Sequence, residues 1–291
     1  MSPATMKIVR LPKLMTVGWS KTLLEKCENA VQHNGPVAFD FANVEWAAPF
    51  GLTVISITLE RCFSQKQDVF YQPPKNASLR KYLERIGFHY YFLKGGAIKH
   101  QSTSVELRRL RAVDPLCIDA IVNLMAETAP THFSDDDKFD MKAQLIEMMT
   151  NAFDHSASEI GCYVCAQWYP QTQNLRVSFA DCGIGILTSL RTKKRFSYLR
   201  TDIDAIRESV KPGVTTRKAR LGGFGLDYLK TYAKGSQGTL AILSGQAKVN
   251  FRWNKIENRV EDIRFPGTII DLCIPMTKSA KPTRRKESDL F

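Results

Sequence analysis

Within the stretch KFDMKAQLIEMMTNAFDHS, Glu147, Asn151 and Asp154 stand at i, i+4 and i+7. On a helix that spacing projects an acid, an amide and an acid from one face. Leu145, Met148, Met149 and Ala152 form an apolar stripe beside them, the mark of a helix packed on a core. Such a polar row can be a solvated face. It can also be a magnesium and water site, where an amide oxygen ligates the hard cation and a carboxylate orients or deprotonates attacking water. The spacing alone leaves both readings open.

Other short stretches could also carry chemistry. DCGIGI, residues 181–186, follows an alternating strand pattern and so stands at a strand-to-loop exit. Taken singly, it is ordinary turn chemistry. GGFGL, residues 222–226, opens a predicted helix, DYLKTYAK, where backbone N–H groups can cradle phosphate and glycines let the main chain come close. Cys162 and Cys165 form C-x-x-C on a predicted strand; positions i and i+3 face opposite sides, so the pair reads as structural thiols rather than a metal clip. The acidic triplet in THFSDDDKFD reads as a solvated helix start, with Ser134 and Asp137 as cap residues.

These groups must be positioned by regular elements. Residues 1 to about 96 alternate strands and helices: GPVAFDFANVEW, then GLTVISITLERCFSQ with Leu52, Ile55, Leu59 and Cys62 on one stripe, then QDVFYQPP and SLRKYLERIGF. That order implies a small α/β layer domain. FLKGGAIKHQSTS breaks the pattern, placing a linker at 97–102. Beyond it come the amphipathic helix VDPLCIDAIVNLMAET, the long helix bearing Glu147, and a hairpin turning around Pro170–Asn174 that ends at Asp181. A further strand pair and PGTIIDLCIP close the second domain, 103–276, followed by a basic tail at 277–291 that reads as disordered.

The chain has 291 residues, 41 Lys/Arg against 29 Asp/Glu, and a net charge of +12. Residues 191–220 carry ten Lys/Arg against three Asp/Glu, so over half the excess follows DCGIGI directly. A local basic segment beside a glycine motif suits polyphosphate at least as well as nucleic acid. No apolar run of membrane-spanning length occurs, the N-terminus lacks a secretory pattern, and seven cysteines have no framework spacing. The expectation is a cytoplasmic protein with reduced thiols and no membrane partner.

Glu147-x-x-x-Asn151-Ala152-x-Asp154, Asp181-x-Gly183-x-Gly185, Gly223-x-Gly225-Leu226 and Gly267-Thr268, in that order over about 120 residues, resemble the motifs of the GHKL ATPase superfamily. That superfamily includes gyrase-type ATPases, heat-shock chaperones, histidine kinases and anti-sigma-factor serine kinases, and the style here is nearest the last. The resemblance implies an α/β (α+β) chain with a Bergerat-type sandwich, a mixed sheet covered on one face by helices, and ATP with Mg²⁺ as ligands. Asp181 would accept from the adenine amino group, helped by Thr268 through water, and Gly183 and Gly185 would pass against the base. Asn151 would ligate Mg²⁺ and Glu147 would act as general base, with Asp154 and Leu226 also at the nucleotide. Gly223 and Gly225 would line the phosphates. A lid at about 187–220 would bring Lys218 and Arg220 to them. His155 matches the serine-kinase pattern N-A-x-x-H and is kept out of the catalytic set.

The first domain, over about residues 6–95, resembles the STAS domain of anti-sigma-factor antagonists. Ala48-Pro49-Phe50-Gly51-Leu52 stands where that family has D-S-S-G-L. The acceptor hydroxyl is missing, so an interaction or regulatory module, and with it a protein partner, is what the resemblance implies. A homodimer is compatible with it. Two outputs follow: ATP hydrolysis or transfer to a partner's serine, or a nucleotide-gated binding module with little turnover. A histidine kinase is disfavoured because VDPLCIDAIVNLMAET holds no acceptor histidine, and a gyrase-like clamp because only a short tail follows residue 276.

Overall fold

A computed structural model describes residues 5–93, 102–129, 133–154, 158, 160–214 and 225–277. The chain begins with β1 (Lys7–Arg10), β2 (Leu14–Met15), α1 (Ser20–Val31), β3 (Val37–Asp40), β4 (Trp46–Ala47), α2 (Pro49–Ser64), β5 (Val69–Gln72), α3 (Ala77–Arg85) and α4 (Phe88–Leu93). Next come β6 (Ser104–Leu110), α5 (Pro115–Thr128), α6 (Asp135–Asp154), β7 (Cys162–Tyr169), β8 (Asn174–Asp181), α7 (Gly185–Arg191), α8 (Asp202–Ser209), α9 (Gly225–Gly235), β9 (Thr239–Arg252) and β10 (Ile256–Pro275). The molecule is thus a mixture of helices and several sheets, as the alternating patterns predict.

β1, β3 and β5 form a parallel three-stranded sheet, and α1 and α2 are the connections that parallel pairing requires. The second sheet has the order β6-β7-β8-β10-β9. Each of its ladders is antiparallel, whereas a mixed sheet was expected. The reason is parity: β6 and β7 are joined by two helical passes, α5 and α6, so the chain re-enters reversed, and β7–β8 and β9–β10 are hairpins. β10 also runs unbroken through Pro266–Gly267, where the separate strand PGTIIDLCIP was read. Register shifts between Val260, Phe265 and Thr268 accommodate the proline, as bulges do.

Alternation sorts the second sheet into two faces. Val164, Val177, Phe179, Ile242, Ile270 and Leu272 pack in one cluster with α5, α6 and α9. Tyr163, Cys165, Ala180, Leu243 and Ile269 pack in another, continuous with α1, α2 and the three-stranded sheet. Helices therefore cover both faces, where cover on one was expected. Cys162 lies in the first cluster and Cys165 in the second, the opposed placement that strand period demands.

α2 is the shared element. Residues 49–59 are buried without a break, far beyond the predicted stripe, because one side meets the three-stranded sheet and the other meets β7 and β8. Gly51 marks the tightest approach: a Cβ there would lie 2.5 Å from both the Cβ and the carbonyl oxygen of Met15. Polar pairs tie α2 to the second sheet. Thr53 and Ser178 share a buried hydroxyl–hydroxyl bond of 3.0 Å. Tyr163 donates to Glu60 at 3.0 Å, and Arg109 meets the same carboxylate at 2.9 Å. Further along, Lys248 donates to Ser20 at 2.6 Å and lies 3.7 Å from Glu261, joining the β9–β10 ribbon to the start of α1.

Candidate functional site

The first functional corner forms where β8 ends. Asp181 shares the parity of Val177 and Phe179, which puts it on the face covered by α5, α6 and α9. Pairing sets it opposite Cys162 on β7 and Thr268 on β10, and Thr268 is opposite Ser244 on β9. Four polar or small side chains thus cross four strands in one row, just where the apolar core stops.

Asp181 is only 7% exposed. Its Oδ1 accepts from the Gly183 N–H at 2.9 Å, and the Thr268 N–H also reaches the carboxylate. Burial pushes its pKa up to about 7, because a charged carboxylate loses water there; the two backbone donors oppose that shift without cancelling it. The Ser244 hydroxyl donates to the Gly267 carbonyl at 2.9 Å, accepts from the Ile186 N–H at 2.9 Å and lies 3.3 Å from the Thr268 hydroxyl. It staples the Gly183–Gly185 turn to β10.

Two glycines make this corner possible. Gly267 has φ +104°, and a Cβ there would lie 2.2 Å from the Asp181 carbonyl oxygen. Gly185 has φ +75° with Ser244 beside it. Both backbone angles strain any side chain with a Cβ.

A second corner lies between α6 and α9. The capping box at Ser134 and Asp137 starts α6: Ser134 N–H and hydroxyl donate to the Asp137 carboxylate, and the Asp137 N–H donates back to Ser134. About three turns after Asp137, Glu147 is half-buried. Gly225, the buried first residue of α9, sits against it; a Cβ there would lie 3.4 Å from Glu147 Cβ and 3.3 Å from the Gln144 carbonyl oxygen. Leu226 packs on the core beside it.

The structure therefore brings Asp181, Gly183, Gly185 and Thr268 together, and separately brings Glu147 to Gly225. Asn151 and Asp154 lie on α6, one and two turns beyond Glu147, with side chains outside what is described. Lys218, Arg220 and Gly223 lie outside the described residues. The expected lid, about 187–220, takes in most of α7 and all of α8. Leu190, Phe196, Leu199 and Ala205 are buried as a small cluster of their own.

Ser244 escaped the sequence reading. The alternation Leu240, Ile242, Ser244 points it at the helix face, but its pairing with Thr268 crosses a register shift that sequence does not display. Among the described residues no group of three or more His, Cys, Asp or Glu side chains is placed to hold a metal ion. A surface groove of about 640 Å³ bordered by residues 31–36 and 65–68 belongs to neither corner.

Chemically, the first corner offers a buried carboxyl held by two backbone donors, beside the Thr268 hydroxyl and a Ser244 hydroxyl already engaged with Gly267 and Ile186. The seven cysteines are free, and burial raises the Cys182 thiol to about 11, which suppresses the reactive thiolate. No described helix is long and apolar enough to cross a membrane. Compared with known proteins, the chain matches no family model and no curated protein at a significant level.

Proposed function

We propose that this chain is a Mg²⁺-dependent ATP-binding protein of the GHKL type, with ATPase or serine kinase-like output directed at a protein partner. The observation that carries the reading is the Asp181 corner: a buried carboxyl, the Thr268 and Ser244 hydroxyls and two positive-φ glycines at the end of the helix-covered sheet face. Asp181 and Thr268 fit an adenine edge. The carboxylate accepts the exocyclic amino group, and the Thr268 hydroxyl beside it serves a ring nitrogen directly or through water.

The second corner supports the phosphate end. Gly225 opens α9 with no side chain between its backbone and the turn bearing Glu147. Glu147 is held beside that opening and can orient or deprotonate water. Asn151, one turn on, would hold Mg²⁺, whose contribution when bound is to neutralise charge on the phosphates. Lys218, Arg220 and Gly223 would meet the phosphates, and Asp154 would complete the polar row. The protein-partner role of the first half rests on the STAS resemblance; the shared packing of α2 gives any partner there a mechanical route to β8.

Titration calorimetry of ATP against the parent and Asp181→Asn tests the reading. The amide replaces a charge-assisted acceptor, a change of about 1.5–3 kcal/mol, and should weaken binding ten-fold or more while the protein stays folded. Undiminished ATP binding by a folded Asp181→Asn protein would remove the corner from the site.

A further inference from the structure

The basic segment that follows Asp181 falls into two parts with different surroundings. α7 carries the chain roughly 10 Å along its axis away from Gly185, and only at its last residue does the positive run begin. Residues 191–200, RTKKRFSYLR, hold five cations and no acid. The remaining cations of the segment occur later, on α8 and toward Gly225. Proximity to the Asp181 corner therefore does not account for the first group.

That first group stands on a built platform. Phe196 and Leu199 are 5% and 2% exposed and form a small core with Leu190 and Ala205. The Arg191 guanidinium donates to the Leu199 carbonyl at 3.0 and 2.6 Å, closing the loop on itself. Thr201 and Asp204 cap α8 reciprocally. Asp202 fastens α8 to the β9–β10 ribbon, accepting from the Gln246 N–H at 3.0 Å and from Arg264 at 3.2 Å. Lys194, Arg195 and Arg200 project into solvent from this frame, with Lys193 half-buried beside them. Between them Tyr198 is 57% exposed, its hydroxyl bonded to Glu208, which also holds Lys211 at 2.7 Å. The ring is exposed and anchored at once.

We propose that this face, Lys193, Lys194, Arg195, Tyr198 and Arg200, binds single-stranded nucleic acid. The partner that suits this face is an extended anion, because four cations within residues 193–200 release the condensed counterions of a polyanion that meets them. An acidic protein would need apolar area to seat its own interface core, and here the apolar side chains Phe196 and Leu199 are turned inward. What faces outward is positive charge and one flat ring, the combination that tracks a phosphate backbone and stacks a base. The inference is independent of the ATP reading.

Fluorescence polarisation of the full chain with a labelled 20-mer oligothymidylate tests it. Four phosphate contacts on a single strand predict a log–log salt slope near −2.8, hence about 50-fold weaker binding between 50 and 200 mM salt. Lys193→Glu/Lys194→Glu/Arg195→Glu should abolish binding at 200 mM salt. Lys194→Glu/Arg200→Glu, which leaves Arg195 over the Phe196 ring at 4.6 Å, should weaken it at least ten-fold with an unchanged thermal melt. Tyr198→Ala should cost about five-fold or more through lost stacking. The proposal is overturned by any of three results: no binding by the parent at 50 mM salt; parental affinity and slope in the folded double variant; or polyglutamate displacing the oligonucleotide at equal charge concentration, which would mark an acidic protein surface as the partner.

Discussion

The two faces of the five-stranded sheet are built from the same strands and put to different use. On the face toward α5, α6 and α9, the apolar rows of β8, β9 and β10 end in Asp181, Ser244 and Thr268. A buried carboxyl there is kept at a cost in solvation. On the face toward α2, Thr53 is paired with Ser178, and Glu60 with Tyr163 and Arg109, across the contact between helix and sheet. Buried pairs that span two elements hold those elements together, whereas the Asp181 carboxyl is held by backbone donors at the end of its own strand and its neighbour. One face carries the ties between the two sheets, and the other carries the corner proposed to bind nucleotide.

The sharpest separation should come from Glu147 on the chemistry side. Glu147→Ala should lower ATP turnover by about 10²–10⁴-fold while leaving nucleotide binding and the urea midpoint close to parental. Phosphate release and calorimetry measured on one preparation check it. If Glu147→Ala turns over at the parental rate, its helix face is only a solvated surface; a parent that binds ATP without turnover is instead a gated module.

The mirror-image experiment is Phe50→Ala on α2. Phe50 is wholly buried in the core cluster around α2, so truncation should lower stability by about 3–5 kcal/mol in urea unfolding. At temperatures where the variant remains folded, its ATP affinity should match the parent. A specific loss of affinity without loss of stability would erase the distinction between the faces.

A smaller effect follows from the Asp181 titration. Its folded pKa of about 7 lies above the ordinary value of 3.8, so the folded state holds the proton more tightly than the unfolded chain. Stability should therefore fall as pH rises from about 4 to 7, by on the order of a few kcal/mol, and then level off. Asp181→Asn should lose that part of the fall. Asp271, raised to about 6 by burial, keeps its own share in both proteins, so the difference between them isolates Asp181. ATP, donating to the carboxylate, should bind the parent more tightly at pH 8 than at pH 6.

Smallest of all is the cohesion pair. Thr53→Val leaves the Ser178 hydroxyl buried without its partner and should cost about 1–3 kcal/mol, whereas Thr53→Val combined with Ser178→Ala should recover much of that loss. A double variant no better than the single one would show that the hydroxyls act independently.

Much of the chemistry face was legible from local rules. The Ser134–Asp137 cap, the opposed facing of Cys162 and Cys165, and the exit of β8 at Asp181 each follow from spacing within a few residues. The cohesion face was not, because it depends on neighbours far apart in the chain. A stripe through Leu52, Ile55, Leu59 and Cys62 describes a helix with one wet side; the added Phe50, Val54 and Ile57, apolar around the rest of its circumference, are the sign of a helix buried all round. Residues 187–220 read as a charged lid because Leu190, Phe196 and Leu199 are too sparse among the cations to show a period, yet with Ala205 they suffice for a small core.

The double burial of α2 also has a consequence in time. Synthesis proceeds from the N-terminus, so α2, complete at Ser64, is made well before β7 and β8, which span 162–181. At about 5–20 residues per second, roughly a hundred residues separate the two events, or about 5–20 s. During that interval the side of α2 destined for the second sheet has no native surface to meet. Ribosome-bound chains stopped before residue 160 should therefore be the ones that recruit holding chaperones, and release should come as the β7–β8 hairpin emerges.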